Sequence, residues 1–218
     1  MRNRLWVLAA LFVTGPAPNF LAAEPSPSAA EWKSVSNKDG VAIFRRQRPA
    51  SNESKAVGEI AASTDLVKAV LDDVEAYTNF MPYVVECRVL KREVDSVLAY
   101  QRISAPLASD RDYTLRVRFS ATPVEGGVSY LSRWETENAH GPAEKKGVVR
   151  VNLCEGSWLL EPSGPNMTRA TYLIYTDSGG VIPPFIKNIG SQIGLRKMFA
   201  AIRKQVRDPK YAAAKRNN

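Results

Sequence analysis

Catalysis and metal binding have few side chains to draw on in this chain, whose 218 residues include one histidine and two cysteines. A hydrolase needs a nucleophile beside a base and an orienting acid. His140 lies in a loop with Gly141, Pro142, Glu135, Glu137 and Glu144, and the local sequence supplies no nucleophile. It reads as a solvated loop residue. Cys87 and Cys154 occupy separate strand-like runs, outside any Cys-x-x-Cys or Cys/His cluster. That excludes the usual spacings of zinc and redox sites. Two cysteines allow at most one bridge, and buried free thiols are the plainer reading. Asp72-Asp73-x-Glu75 matches no calcium loop. Gly179-Gly180 precedes a helix without the lysine or the Gly-x-Gly-x-x-Gly of a phosphate loop, which leaves a plain turn. No cofactor or metal is expected.

Long hydrophobic runs are also missing. The longest, Leu5 to Val13, is too short to span a bilayer as a helix. Arg2 and Arg4 precede it, Gly15, Pro16 and Pro18 break it, and Ala22-Ala23 stand before Glu24. This is the pattern of a secretory signal peptide over 1–23, cleaved after Ala23 or, alternatively, Ala30. Residues 24–30 read as a linker, and the mature protein is expected to be periplasmic or secreted. The body also lacks excess charge. Of the formal +8, +2 lies in residues 1–23 and +7 in 196–218, which leaves −1 between them. No basic stripe suits nucleic acid. The basic tail, taken as 208–218, either docks on an anionic membrane surface or is simply solvated.

What is present is mostly strand. Val41–Arg45 and Lys55–Ile60 read as strands. Ser63-Thr-Asp65 starts a helix whose Leu66, Val67, Val70, Leu71 and Val74 recur at helical spacing. A short helical piece over 75–81 stops at Pro82. Six strands follow, over 84–93, 97–103, 111–122, 128–134, 149–161 and 168–177. In the third, Tyr113, Leu115, Val117 and Phe119 share one face, while Thr114, Arg116, Arg118 and Ser120 share the other. Longer connections span 104–110 and 135–147.

A helix then runs from Pro183 to about Val206, launched by Asp177-Ser-Gly-Gly180 and two prolines. Ile182, Ile186, Ile189 and Ile193 point one way. Leu195, Phe199, Ile202 and Val206 point about 130° away. Gly190 and Gly194 sit where this stripe swings, so a kink, bulge or local unwinding is expected there.

Four stretches in order resemble the START (StAR-related lipid transfer) domain, within the helix-grip superfamily. They are Trp32 with Asp39–Phe44; Met81–Leu90; Asp110-Arg-Asp-Tyr113; and Gly147–Arg150 with Gly156-Ser-Trp158, Pro162 and Asp177-x-x-Gly-x-Ile-Pro183. The likeness spans about 31–207. It implies an α+β fold in which a curved antiparallel sheet grips the C-terminal helix around an internal apolar cavity. It also implies a monomer that binds one lipid, phospholipid or sterol-like, and carries it between membranes.

Tyr113, Leu115, Val117, Phe119 and Gln101 would then line the cavity. Pro106 and Leu107, with Ile182, Phe185, Ile186 and Ile189, would form its lid. Sterol-binding relatives place an acid and an arginine in the tunnel. Here the arginine's place falls at Val117 and the acid's near Gln101 or Arg102, so no such pair is evident. Arg150, on an otherwise apolar run, could reach a lipid headgroup or pair with an acid on a neighbouring strand. Arg111 and Asp112 could pair at their strand start. Trp134 and Trp158 suit either core or cavity wall. The alternative function is a helix-grip enzyme of the polyketide cyclase or aromatase type.

Overall fold

The structure is a computed structural model. It describes residues 31–49, 51–106, 108–177, 179 and 184–211, with the backbone alone for 184–191. The signal peptide, the linker, Leu107, Ile182 and the end of the basic tail lie outside the described residues.

Three strands open the fold: β1 (Lys33–Lys38), β2 (Val41–Gln47) and β3 (Asn52–Ile60). β1 carries one apolar residue in six and is largely exposed, so its sequence gives little strand signal. Asp39 and Gly40, with φ of 55° and 64°, close the tight hairpin into β2. Helix α1 (Thr64–Asp72) begins as expected, with the Ser63 side chain accepting from the Leu66 N–H. A 3-10 turn and the short helix α2 (Tyr77–Phe80) lead to β4 (Val84–Arg92), β5 (Ser96–Ile103), β6 (Arg111–Val124) and β7 (Gly127–Thr136). The chain ends with β8 (Val149–Arg150), β9 (Leu153–Gly164), β10 (Met167–Asp177) and helix α3 (Pro184–Gln205).

All ten strands join one sheet, in the order β1-β2-β3-β10-β9-β7-β6-β5-β4, with β8 beside β6. Every pairing is antiparallel except β6 with β8. The run 149–161, expected as one strand, is therefore two. Val149 and Val151 donate to the carbonyls of Asp110 and Asp112 and draw β8 to the start of β6, while β9 pairs with β7 and β10. Cys154 on β9 and Cys87 on β4 are four strand steps apart along the sheet, about 19 Å. Both are free, buried thiols.

The core lies between the concave face of the sheet and the helices. Leu66, Val67, Val70 and Leu71 of α1 meet Leu195, Phe199, Ile202 and Val206 of α3 over Val41, Ile43, Ala56 and Ile60. Gly58 admits Phe199, since a Cβ there would stand 3.0 Å from its ring and 2.9 Å from the Gly40 carbonyl. Arg203 fixes the same half of α3 by donating to the carbonyls of Asp39 (2.7 Å), Gly40 (2.9 Å) and Glu59 (2.9 Å). Packing continues past residue 207. Tyr211 is buried, and its hydroxyl donates to Asp73 at 2.8 Å.

α3 runs as α-helix without interruption through Gly190 and Gly194, so the expected unwinding does not occur. On an unbroken helix Ile193 lies about 200° from Leu195. It is accordingly 38% exposed rather than part of an inward stripe. Gly194 faces Tyr83, whose ring would be in ordinary contact, at 4.0 Å, with a Cβ at this position.

Candidate functional site

Between the concave sheet and α3 lies a cavity of about 390 Å³. That falls within the roughly 300–1,000 Å³ usual for small-molecule sites. Tyr113, Leu115, Val117 and Phe119 of β6 all line it, each two residues from the next. Gln101 of β5 lines it too, beside Tyr113, whose hydroxyl donates to Gln101 Oε1 at 3.1 Å. Trp134, Trp158 and Tyr172 continue this wall across β7, β9 and β10, with ring centroids 4.7 Å (Trp158–Tyr172) and 5.5 Å (Trp134–Tyr172) apart. A Cβ at Gly156 would stand 2.4 Å from the Trp134 ring, so this glycine lets the indole lie against the sheet. Leu195 and Met198 close the α3 side.

The polar groups on this wall are almost all held uncharged. Burial pushes the phenol pKa values of Tyr77, Tyr113 and Tyr172 well above the ordinary value. Burial also lifts the Cys154 thiol to about 12, and that of Cys87, just behind the wall, to about 11. Two charged residues touch the lining. Asp72 is ion-paired with Lys68, and the Arg111 guanidinium donates to the Ser109 carbonyl. Among the described residues, no group of three or more His, Cys, Asp or Glu could hold a metal ion.

Arg150 is not part of this wall. It faces the outer side of the sheet, where its guanidinium meets Asp112 twice, at 2.7 and 3.1 Å, and donates to the Pro142 carbonyl at 3.0 Å. Asp112 and Arg111 are neighbours on a strand and so point to opposite faces. For that reason Asp112 pairs with Arg150 and not with Arg111. Asp112 is 1% exposed and also accepts from Tyr100 at 3.0 Å. Burial alone would raise its pKa, but the bonds from Arg150 and Tyr100 outweigh burial and hold it below the usual carboxylate value. Tyr100 is pushed up to about 12 by burial and by Asp112.

The long connection expected at 135–147 is the flap over this pair. Asn138 accepts from the Thr114 N–H at 2.9 Å and donates to the Val151 carbonyl at 2.8 Å. His140 is 64% exposed, 2.8 Å from Glu137, and does not line the cavity.

At the mouth, Pro106 is exposed and off the cavity wall, while its neighbour Ala105 lines it. Phe185, Ile186 and Ile189 fall on the first turns of α3, where only the backbone is described. Sequence reasoning missed Tyr83. It lines the cavity with φ of 68°, a left-handed conformation that costs on the order of 1–3 kcal/mol in a non-glycine residue. Its carbonyl accepts from Ser104 N–H at 2.8 Å, and its hydroxyl accepts from Lys197 at 3.1 Å. One strained residue therefore ties the 104–110 connection to α3. Nothing in the sequence marks that φ.

A curved antiparallel sheet closed by a C-terminal helix over an apolar cavity defines the helix-grip class. Residues 60–203 match the family described as polyketide cyclase/dehydrase and lipid transport. The chain belongs to that family and is START-like within it.

An uncharacterized protein of Pseudomonas aeruginosa is 30% identical over 188 residues, covering 85% of this chain and 87% of its own. The phosphatidylcholine transfer protein of Mus musculus is 25% identical over 177 residues, 79% of this chain and 82% of its own. The solved structure of a STAR-related lipid transfer protein fragment from Xanthomonas axonopodis superposes with a TM-score of 0.71 at 26% identity. It covers 81% of this chain and 99% of that fragment.

Proposed function

We propose that this protein binds a single lipid or other bulky apolar molecule in the cavity and carries it between membranes. The observation that carries the reading is a cavity of about 390 Å³ whose polar wall groups are mostly neutral phenols, an amide and a thiol. Such a site favours apolar burial over ionic chemistry. A ligand that hides roughly 300 Å² of apolar surface gains about 7 kcal/mol, enough to hold it without a covalent step. The likeness to lipid transfer proteins supports the same reading.

Entry to an internal cavity requires part of the wall to move. The 104–110 connection and the first half of α3 are the moving parts in this reading, because Tyr83 links them at the mouth. The amino-terminal signal pattern supports export to the periplasm or beyond, and the basic tail supports contact with anionic headgroups. Among the described residues, no helix is long and apolar enough to cross a membrane.

Native mass spectrometry of the protein purified from its own host tests the proposal. A co-purified phospholipid or sterol-like lipid at one per chain is expected. An empty protein that turns over an aromatic or polyketide substrate would replace the reading with the cyclase alternative. Because Tyr211 is packed into the core, the tail is tested by removing 212–218. Vesicle binding should weaken, and unchanged binding removes the tail's role.

A further inference from the structure

A second candidate contact with membranes lies away from the tail, on the outer face of the sheet beside the cavity mouth. Val41 and Ile43 of β2 and Ala56 and Ile60 of β3 are core residues, so the alternate residues Phe44, Arg46 and Lys55 face outward. Trp32, just before β1, lies over them. Its ring has the Arg46 guanidinium at 4.6 Å and the Lys55 ammonium at 4.6 Å. Lys55 also stands 4.8 Å from the Phe44 ring. Arg48 covers Tyr175 of β10 at 4.1 Å.

Two half-buried rings, Trp32 and Phe44, and three cations thus share one patch, with Tyr175 buried beneath Arg48. Of its acids, Glu53 is buried and already shared between Arg46 and Arg48, and Glu155 stands exposed beside Tyr175 at the β9 edge of the patch. Among the described residues, no helix packs on this side of β2 and β3; α3 meets them on the concave side.

The patch sits at one end of the sheet. Tyr175 is two residues from the end of β10, and α3 starts seven residues beyond that end. In the antiparallel register, the end of β10 lies with the start of β9, the end of β7 and the start of β6. The 104–110 connection leaves from the same end.

We propose that Trp32, Phe44, Arg46, Arg48 and Lys55 form a docking surface for an anionic bilayer, which sets the cavity mouth against the membrane. The chemistry is that of an interfacial belt. Amphipathic rings settle at headgroup depth, and long cationic side chains reach the phosphates while their stems cover apolar surface. An excess of positive charge on the patch complements anionic lipid, at about a five-fold gain in binding per basic residue. Docking here would place the lid elements at the bilayer. The proposal rests on the lipid-carrier reading for its purpose but not for its measurement.

The test is co-sedimentation of the mature chain with vesicles of phosphatidylcholine mixed with phosphatidylglycerol, compared with phosphatidylcholine alone, and with native mass spectrometry of each variant. Lys55→Glu should lower binding to the anionic vesicles by about 30-fold, two charge steps at about five-fold each, and Lys55→Gln by about five-fold. Trp32→Ala should weaken binding without changing its salt dependence.

Arg169→Glu, on the same face at the far end of β10, makes the same charge change and should have little effect. Equal losses at Lys55 and Arg169 would overturn the proposal, as would unchanged binding at Lys55 with loss only on removing 212–218. Variants that keep their co-purified lipid but lose vesicle binding support the surface. A wild-type chain empty of lipid that still docks through Lys55 supports the surface while removing the carrier reading.

Discussion

The two faces of β6 come from alternate residues of one strand, yet they are stabilised in different ways. Inward, Tyr113, Leu115, Val117 and Phe119 line a cavity with mostly neutral polar groups. Outward, Asp112, Thr114, Arg116 and Arg118 enter ion pairs and flap contacts. Arg150 forks onto Asp112, and Arg116 reaches both Glu93 and Glu137. The inward face leaves space and, past Arg111 at its start, carries no charge. The outward face is filled by the 137–150 flap and holds charges in fixed pairs. Binding capacity and rigidity are thereby separated on a single strand.

The largest effect should come from breaking the buried outer pair. Arg150→Met leaves Asp112 charged and unpaired, and should cost about 3–5 kcal/mol in thermal or denaturant unfolding. Lipid occupancy of the folded fraction should stay unchanged; a matching loss of ligand would erase the division between the faces.

Acid probes the same pair. Asp112 titrates lower in the folded protein than in the unfolded chain, so its stabilisation is present above the unfolded value near 3.9 and fades as pH falls below it. Wild type should lose stability in that acid range, and Asp112→Asn should flatten that part of the curve.

On the inner face, Val117→Arg places a charge among apolar groups and should cut lipid occupancy about ten-fold in native mass spectra, while Arg118→Val beside it should leave occupancy unchanged. Tyr113→Phe removes one hydrogen bond to Gln101 and should cost about 1 kcal/mol of stability or ligand affinity. The smallest effect is expected at Arg118→Ala. Its pair with Glu135 is more than half exposed on both sides, and unfolding should shift by at most about 0.5 kcal/mol.

How much of this could be read from the residues depends on the range of the interaction. The alternation along β6 and the Ser63 cap are local, and both were legible. The second half of α3 was legible as well, because Leu195, Phe199, Ile202 and Val206 repeat at helical spacing and are buried. The break between β8 and β9 was not. Val148 to Leu153 reads as one apolar run, and only the distant β6 divides it. Arg150 was ambiguous for the same reason, since its partner lies 38 residues away. The unbroken α3 was missed because the isoleucines suggested an inward stripe, whereas Ile193 faces out of the core. β1 gave no signal because an edge strand facing water needs few apolar residues.

The pairing of β3 with β10 bears on the order of assembly. Ser54 stands beside Ile174 and Ile60 beside Thr168, so the first three strands find their neighbour only when the last strand has been made. Arg203 reaches back to Asp39 across 164 residues. Closing loops of that size before their contacts can form slows the search. A chain emerging amino-terminus first would hold β1 to β3 with one edge open until β10 arrives. Late closure of the sheet is the expected consequence, and losing residues 195–211 would leave that sheet without the helix that covers its core rather than a shorter domain.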